Sequence, residues 1–341
     1  MGANKKIRVL IVDDSLVFRE VLSKSISADP LLQVVAKATD PYDARDKILE
    51  FEPDVMTCDV EMPKMNGIDF IRCLLPQYPL PVVVVSSVSN AVFEAMNVGA
   101  IDFVTKPNVN NSKDIERFIN ELIAKIKVAS TAQVTVAPSL PVAKIGDNGK
   151  MDLKKIIAMG ASTGGTEALF NVLKCLPTRI PGIVIVQHIP PIFSRMFAER
   201  LNNQTQLNVK EAQNGDFVEP GKVLIAPGDQ HMIIKKIGDR YKIKVFPGDK
   251  VNGHCPSVDV LFESVAMEAK NNAIGVILTG MGYDGAKGLL AMRRAGARTI
   301  GQDEKSSVVY GMPKVAYNIG AVEKQAPLNK ITQILYALLK K

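Results

Sequence analysis

The chain has no tryptophan, three histidines, four cysteines and 6% aromatic residues among its 341 positions. Cys58, Cys73, Cys175 and Cys255 lie far apart and form no C-x-x-C pair, which excludes a disulfide framework and points to a reducing cytoplasm. His254 and Cys255 are adjacent but lack a third and fourth ligand at zinc spacing, so they read as packing or loop polarity. The formal charge of +7 is spread over scattered lysines and arginines with few aromatics between them, which does not describe a nucleic-acid surface. No stretch approaches the roughly 18 consecutive apolar residues of a membrane span. The first apolar run, after Lys5 and Lys6, covers only about six residues and ends in Asp13-Asp14, so it reads as a core strand rather than an export signal.

With 47% hydrophobic and 23% charged residues, the chain is globular, and its length suits roughly two domains of about 150 residues. Short apolar runs at Arg8 to Val12, Leu32 to Ala36, Val55 to Cys58, Pro81 to Val85 and Ile101 to Val104 predict strands buried on both faces. Segments with helical spacing alternate with them, the last from Lys113 to about Val128, which gives a parallel α/β domain over 1–128. Residues 129–150, rich in proline, glycine, serine and alanine, read as a linker. A second alternation fills 151–341, with strands at Ile156 to Met159, Ile183 to Val186, Val223 to Ala226, Ile274 to Leu278 and Thr299 to Gly301. HMIIKKIGDRYKIKVFP, turning at Ile237 to Arg240, predicts an antiparallel hairpin, and the C-terminal segment a packed amphipathic helix. The expected fold is therefore α/β, with the second domain doubly wound and mostly parallel.

Open α/β sheets place their chemistry just beyond the carboxyl ends of the strands. In the first domain those ends supply Asp13-Asp14, Asp59, Ser86-Ser87 and Lys106-Pro107. Converging carboxylates repel unless a cation sits among them, and an all-oxygen donor set suits magnesium. An aspartate or serine after a strand also serves as a helix cap, which is the alternative for Asp14 or Ser15. VLIVDDS, MTCDVEMPKMNG, VVVVSS and FVTKP, in that order, resemble the receiver domains of two-component response regulators. The resemblance implies a flavodoxin-like fold with Asp59 as phosphoacceptor. It also implies magnesium held by Asp13, Asp14, Asp59 and the backbone carbonyl of Glu61, with Ser86, Lys106 and the aromatic Phe103 as switch residues.

In the second domain the first strand runs into Gly160-Ala161-Ser162-Thr163-Gly164-Gly165, a literal G-x-S-x-G between strand and helix. Glycines there allow a tight turn that presents a serine, and backbone N–H groups at a helix start face developing negative charge. Such a serine needs a base, and of His188, His231 and His254 the first follows a strand directly. Asp284, beyond the strand Ile274 to Leu278, is the candidate acid, and the turn around Met281 offers a backbone N–H to an oxyanion. A phosphate-cradling turn is the alternative, although GASTGG lacks both the G-x-G-x-x-G spacing and a P-loop lysine. The chain order serine, histidine, aspartate differs from the serine, acid, histidine order of α/β-hydrolases.

GASTGGT, VQHIP, PSVDVLF, LTGMGYDGA and QDEKSSVVYGMP resemble the catalytic domain of the chemotaxis protein-glutamate methylesterases, the CheB family. That resemblance implies Ser162 as nucleophile, His188 as general base and then acid, and Asp284 as orienting carboxylate, supported by Thr163 and the Met281 backbone. Tyr283 stands where the family pattern has asparagine. The implied activity is hydrolysis of glutamate methyl esters on methyl-accepting chemotaxis receptors, with deamidation of glutamine as related chemistry and no cofactor for the ester step. A chemotaxis histidine kinase is the implied phosphodonor, and the unphosphorylated receiver the implied inhibitor. Two other classes also accommodate a receiver: a DNA-binding regulator, for which no helix-turn-helix segment is present, and a scaffold that has lost its chemistry.

Overall fold

Alternating strands and helices run through the whole computed structural model, which describes residues 5–87, 91–107, 111–134 and 151–340. The chain divides into two units, Met1–Pro138 and Ser139–Lys341. Most of the expected linker, residues 135–150, lies outside the described residues.

The first unit runs β1 (Ile7–Val12), α1 (Leu16–Ser27), β2 (Leu32–Ala38), α2 (Pro41–Phe51), β3 (Val55–Asp59), α3 (Gly67–Leu74), β4 (Val82–Ser86), α4 (Ala91–Asn97), β5 (Asp102–Thr105) and α5 (Ser112–Ala129). Its strands form one parallel sheet in the order β2-β1-β3-β4-β5. Every residue of β3 and β4 is buried, as expected of continuous apolar strands covered by helices on both faces. Side-chain caps set the helix starts: Ser15 accepts from the Phe18 N–H, Asp40 from Tyr42 and Asp43, and Asn66 from Asp69. Each such cap contributes about 1 kcal/mol. Ser15, rather than Asp14, caps α1, which leaves Asp14 out of the helix. The strand order reverses between β1 and β3, whose pairing of Val12 with Cys58 brings Asp13 beside Asp59.

The second unit runs β6 (Ile156–Ala161), α6 (Gly165–Leu173), β7 (Gly182–Gln187), α7 (Phe193–Gln204), β8 (Asn208–Glu211), β9 (Phe217–Val218), β10 (Lys222–Ile225), β11 (His231–Ile237), β12 (Arg240–Phe246) and α8 (Val258–Glu268). It continues through β13 (Ala273–Ile277), α9 (Ala286–Arg294), β14 (Arg298–Gln302), α10 (Met312–Asn318), β15 (Lys324–Ala326) and α11 (Leu328–Leu339). Seven strands form a parallel sheet in the order β15-β14-β13-β6-β7-β10-β8, and the order reverses between β6 and β13. The expected hairpin is β11-β12, with β9 as the third strand of a separate antiparallel sheet. The sheet edges β8 (NVKE) and β15 (KQA) were not expected, because short edge strands half open to water carry no continuous apolar run. Helix α11 buries Ile331, Leu335, Tyr336 and Leu339, the stripe its amphipathic pattern predicts.

Candidate functional site

At the β1/β3 crevice of the first unit, Asp13 and Asp59 are buried and Asp14 is exposed. One oxygen from each of the three carboxylates lies within 4.8 Å of the others. Lys106, carried there by the end of β5, places its Nζ 2.6 Å from Asp59 Oδ2 and 3.1 Å from Asp13 Oδ2. Burial pushes the Asp59 carboxyl above the ordinary range; the Lys106 ammonium opposes that shift and Asp13 adds to it. Burial also works against the Lys106 charge, but Asp59 and Asp13 outweigh it and raise the ammonium pKa. Three carboxylates facing one ammonium leave negative charge uncompensated in a low-dielectric crevice, so the donor set fits a hard divalent cation.

The Glu61 N–H donates to Asp59 Oδ1 at 3.2 Å. Ser86 Oγ is buried at the end of β4 and has no hydrogen-bond partner among the described residues. Phe103 is buried on β5, with Lys125 Nζ 5.0 Å from its ring centroid.

The second constellation lies at the reversal point of the seven-stranded sheet. Pairing of Ala161 with Gln187 and of Gly160 with Ile277 sets the ends of β6, β7 and β13 side by side. The His188 N–H bonds the Ala161 carbonyl at 3.1 Å, and the Ser162 N–H bonds the Thr279 carbonyl at 3.0 Å. Gln187 Nε2 donates to the carbonyls of Ser162 at 2.9 Å and His188 at 3.1 Å, which ties the two loops together. Gly280 presses on the serine, since a Cβ there would fall 2.7 Å from Ser162 Cβ.

The literal G-x-S-x-G works differently from its expected role. Gly160 is a strand residue, required because a Cβ would meet Val258 Cγ1 at 2.2 Å; the turn itself is made by Gly164, at φ +74°.

His188 Nε2–H donates to Asp284 Oδ2 at 2.9 Å, and Nδ1 is buried without a partner among the described residues. That bond fixes the proton on Nε2 and leaves the lone pair on Nδ1, the reverse of the ring orientation in the chymotrypsin triad. No hydrogen bond joins Ser162 Oγ to His188 among the described residues; the pairing of β6 with β7 and the Gln187 side chain set their backbones side by side.

Asp284 is buried and accepts four further hydrogen bonds. They come from Asn252 Nδ2 at 2.9 Å, Ser257 Oγ at 2.7 Å, the Val258 N–H at 2.7 Å and the Asp259 N–H at 3.2 Å. The carboxylate therefore sits on the N-terminus of α8, where backbone donors favour an anion. Burial opposes its charge, but His188, Asn252 and Ser257 more than offset this and hold its pKa well below the usual carboxylate range. None of these donors is residue 283; Tyr283 is exposed, so its departure from the family pattern leaves Asp284 in place. Thr163 is buried, and its carbonyl accepts from Thr279 Oγ1 at 3.1 Å. The exposed Met281 has a backbone N–H with no acceptor among the described residues.

Asn252 and Ser257 were missed by sequence reasoning, whereas His254, read there as packing or loop polarity, does pack. His254 stacks on His188 with ring centroids 3.7 Å apart and planes within 9°. Only the run PSVDVLF hinted at the first turn of α8; nothing local marked the loop before it.

Comparison with known proteins agrees with both halves of this description. Residues 157–335 match the family model described as CheB methylesterase, and residues 9–119 match the response regulator receiver domain. A protein-glutamate methylesterase/protein-glutamine glutaminase of Syntrophomonas wolfei is 58% identical over 339 residues, covering 98% of each chain. Its counterpart in Salmonella typhimurium is 49% identical over 341 residues, covering 97% of each. The crystal structure of the Thermotoga maritima CheB methylesterase catalytic domain is 39% identical, covers 54% of this chain and 98% of that one, and aligns with a TM-score of 0.53. With a receiver domain ahead of a methylesterase domain, and relatives similar along almost their full length, the chain belongs to the CheB methylesterase family.

Proposed function

We propose that this chain is a cytoplasmic, phosphorylation-activated esterase that hydrolyses glutamate γ-methyl esters on methyl-accepting chemotaxis receptors through Ser162, His188 and Asp284. The observation that carries the reading is the His188–Asp284 bond, which leaves Nδ1 as the basic nitrogen at the strand end beside Ser162. Ser162 Oγ attacks the ester carbonyl while its proton passes to Nδ1. The Met281 N–H, with Thr163 supporting the turn, faces the oxyanion. Collapse breaks the C–O bond, the imidazolium returns its proton to the leaving oxygen, and methanol departs. Water, deprotonated at Nδ1, then cleaves the acyl-serine ester to give glutamate and regenerate Ser162. A glutamine amide follows the same course with ammonia leaving.

In the receiver, Asp59 accepts the phosphoryl group from a chemotaxis histidine kinase, and Asp13, Asp14, Asp59 and the Glu61 carbonyl would hold magnesium. When bound, magnesium neutralises charge on the incoming phosphoryl group. Lys106 pairs with the new anion, the buried Ser86 hydroxyl turns to it, and Phe103 follows. Nucleic acid has no part in this reading.

The test is methanol release from methylated receptor membranes, with and without magnesium and a small phosphodonor. Stimulation of roughly 5- to 100-fold is expected, a usual size for coupling between sites. Asp59→Ala is expected to keep basal release and lose the stimulation; equal stimulation of parent and variant would remove Asp59 from its role. A chain starting after Lys150 is expected to exceed the basal rate of the unphosphorylated full-length chain, and one no faster would end the autoinhibition reading. Absence of methanol release, with Asp59 phosphorylation confirmed, would refute the esterase.

A further inference from the structure

Residues 251–258 form one short segment that reaches both members of the His188–Asp284 pair. Val251 and His254 close a tight turn through mutual backbone hydrogen bonds of 3.0 Å, with Asn252 at φ +53° and Gly253 at φ +85°. The turn aims Asn252 Nδ2 at Asp284 Oδ1 and, at 2.7 Å, at Asp259 Oδ2, while Ser257 and the N-terminus of α8 complete the carboxylate's shell. His231, buried at the start of β11, fastens the segment from behind. Its Nε2–H donates to the Asp249 carbonyl at 2.9 Å, and its Nδ1 accepts from the Ser257 N–H at 3.2 Å. The same turn lays the His254 ring flat on His188. The carboxylate anchors only Nε2 and leaves the ring free to swing about that bond; a second ring 3.7 Å away blocks the swing and keeps water off one face.

We infer that His254 is a positioning residue for ester hydrolysis: its stacked ring fixes the plane of His188 so that Nδ1 stays directed to Ser162. The inference rests on the triad reading proposed above. A neutral ring serves this purpose, because its π-face also favours the imidazolium that forms on His188 during attack, whereas a cation would repel it. Burial, then the neighbouring His188, press the His254 pKa down to about 4 against the pull of Asp284, so the ring is neutral near pH 7.

The full-length chain is compared with His254→Ala and His254→Phe for kcat and KM of methyl-ester hydrolysis. The rate at which a fluorophosphonate labels the protein and the thermal midpoint are measured alongside. His254→Ala is expected to lose between about 10- and 100-fold in kcat, the range for a misoriented catalytic group, with KM within about twofold and labelling slowed in parallel. His254→Phe, which keeps a flat ring without a titratable nitrogen, is expected to recover most of that loss. Unchanged kcat in His254→Ala, equal loss in both variants, a loss confined to KM, or a loss no larger than the unfolded fraction accounts for would each overturn the inference. Ser162→Ala separates the two readings: if that variant still labels and still turns over, the triad assignment has failed, whatever the His254 variants do.

Discussion

Ser162→Ala is expected to lower kcat/KM for methyl-ester hydrolysis by at least about 10⁴-fold and to abolish fluorophosphonate labelling, because the acyl ester forms on Ser162 Oγ in the proposed reaction. Removing the nucleophile of such a unit costs about as much as removing the whole unit, so the residual rate reflects only binding and the oxyanion donor. The substitution also costs little in stability. Ser162 is held through its backbone, with the N–H on Thr279 and the carbonyl on Gln187 and Gly165, and all of these contacts survive in alanine. Phosphorylation of Asp59 in the same preparation is the internal control, since Asp59 belongs to a separate sheet from Ser162. A variant that releases methanol within tenfold of the parent would eliminate the acyl-serine route. A parent that neither labels nor releases methanol would leave a scaffold with an intact fold.

The positions of Ser162, His188 and Asp284 were legible because each follows a buried apolar strand, and the rule for open parallel sheets converts strand ends into a site. The same rule found Asp13, Asp59, Ser86 and Lys106. What it does not supply is neighbour identity across the sheet. That β13 lies beside β6, and not beyond β10, follows from long-range pairing that no local pattern encodes. The loop before α8 was opaque for a related reason. Asn252 and His254 look like ordinary turn polarity, since their partners are 32 and 66 residues away in the chain and meet them only after the sheet has formed. Gly160 carried a false signal: it completes a familiar motif, yet it is glycine because Val258 of α8 packs on the strand. Ring orientation was equally unreadable, because which nitrogen of His188 meets the acid depends on the direction from which Asp284 arrives.

Asp284→Asn is expected to lower kcat by about 10⁴-fold with little change in KM, through the tautomer of His188 rather than through loss of shape. The two carboxylate oxygens accept five hydrogen bonds, three on Oδ1 and two on Oδ2. An amide has one oxygen, and seating it where three donors converge puts the NH₂ at Oδ2, opposite His188 and the Val258 N–H. There the amide donates to Nε2, the imidazole carries its proton on Nδ1 instead, and no lone pair is left to take the proton of Ser162. The Val258 N–H then faces another donor, which costs about 1–3 kcal/mol as an unsatisfied buried group and lowers the thermal midpoint. The pH dependence checks the cause. Because the Asp284 pKa is depressed in the folded chain, its ionised form contributes fully above the ordinary carboxylate pKa, and that contribution is lost only as pH falls through the lowered value. The gap in stability between parent and variant should therefore persist from neutral pH down through about pH 4 and close only in strong acid. A variant that keeps kcat within tenfold of the parent, or whose stability gap closes well above pH 4, would show that the buried carboxylate does not set the His188 tautomer.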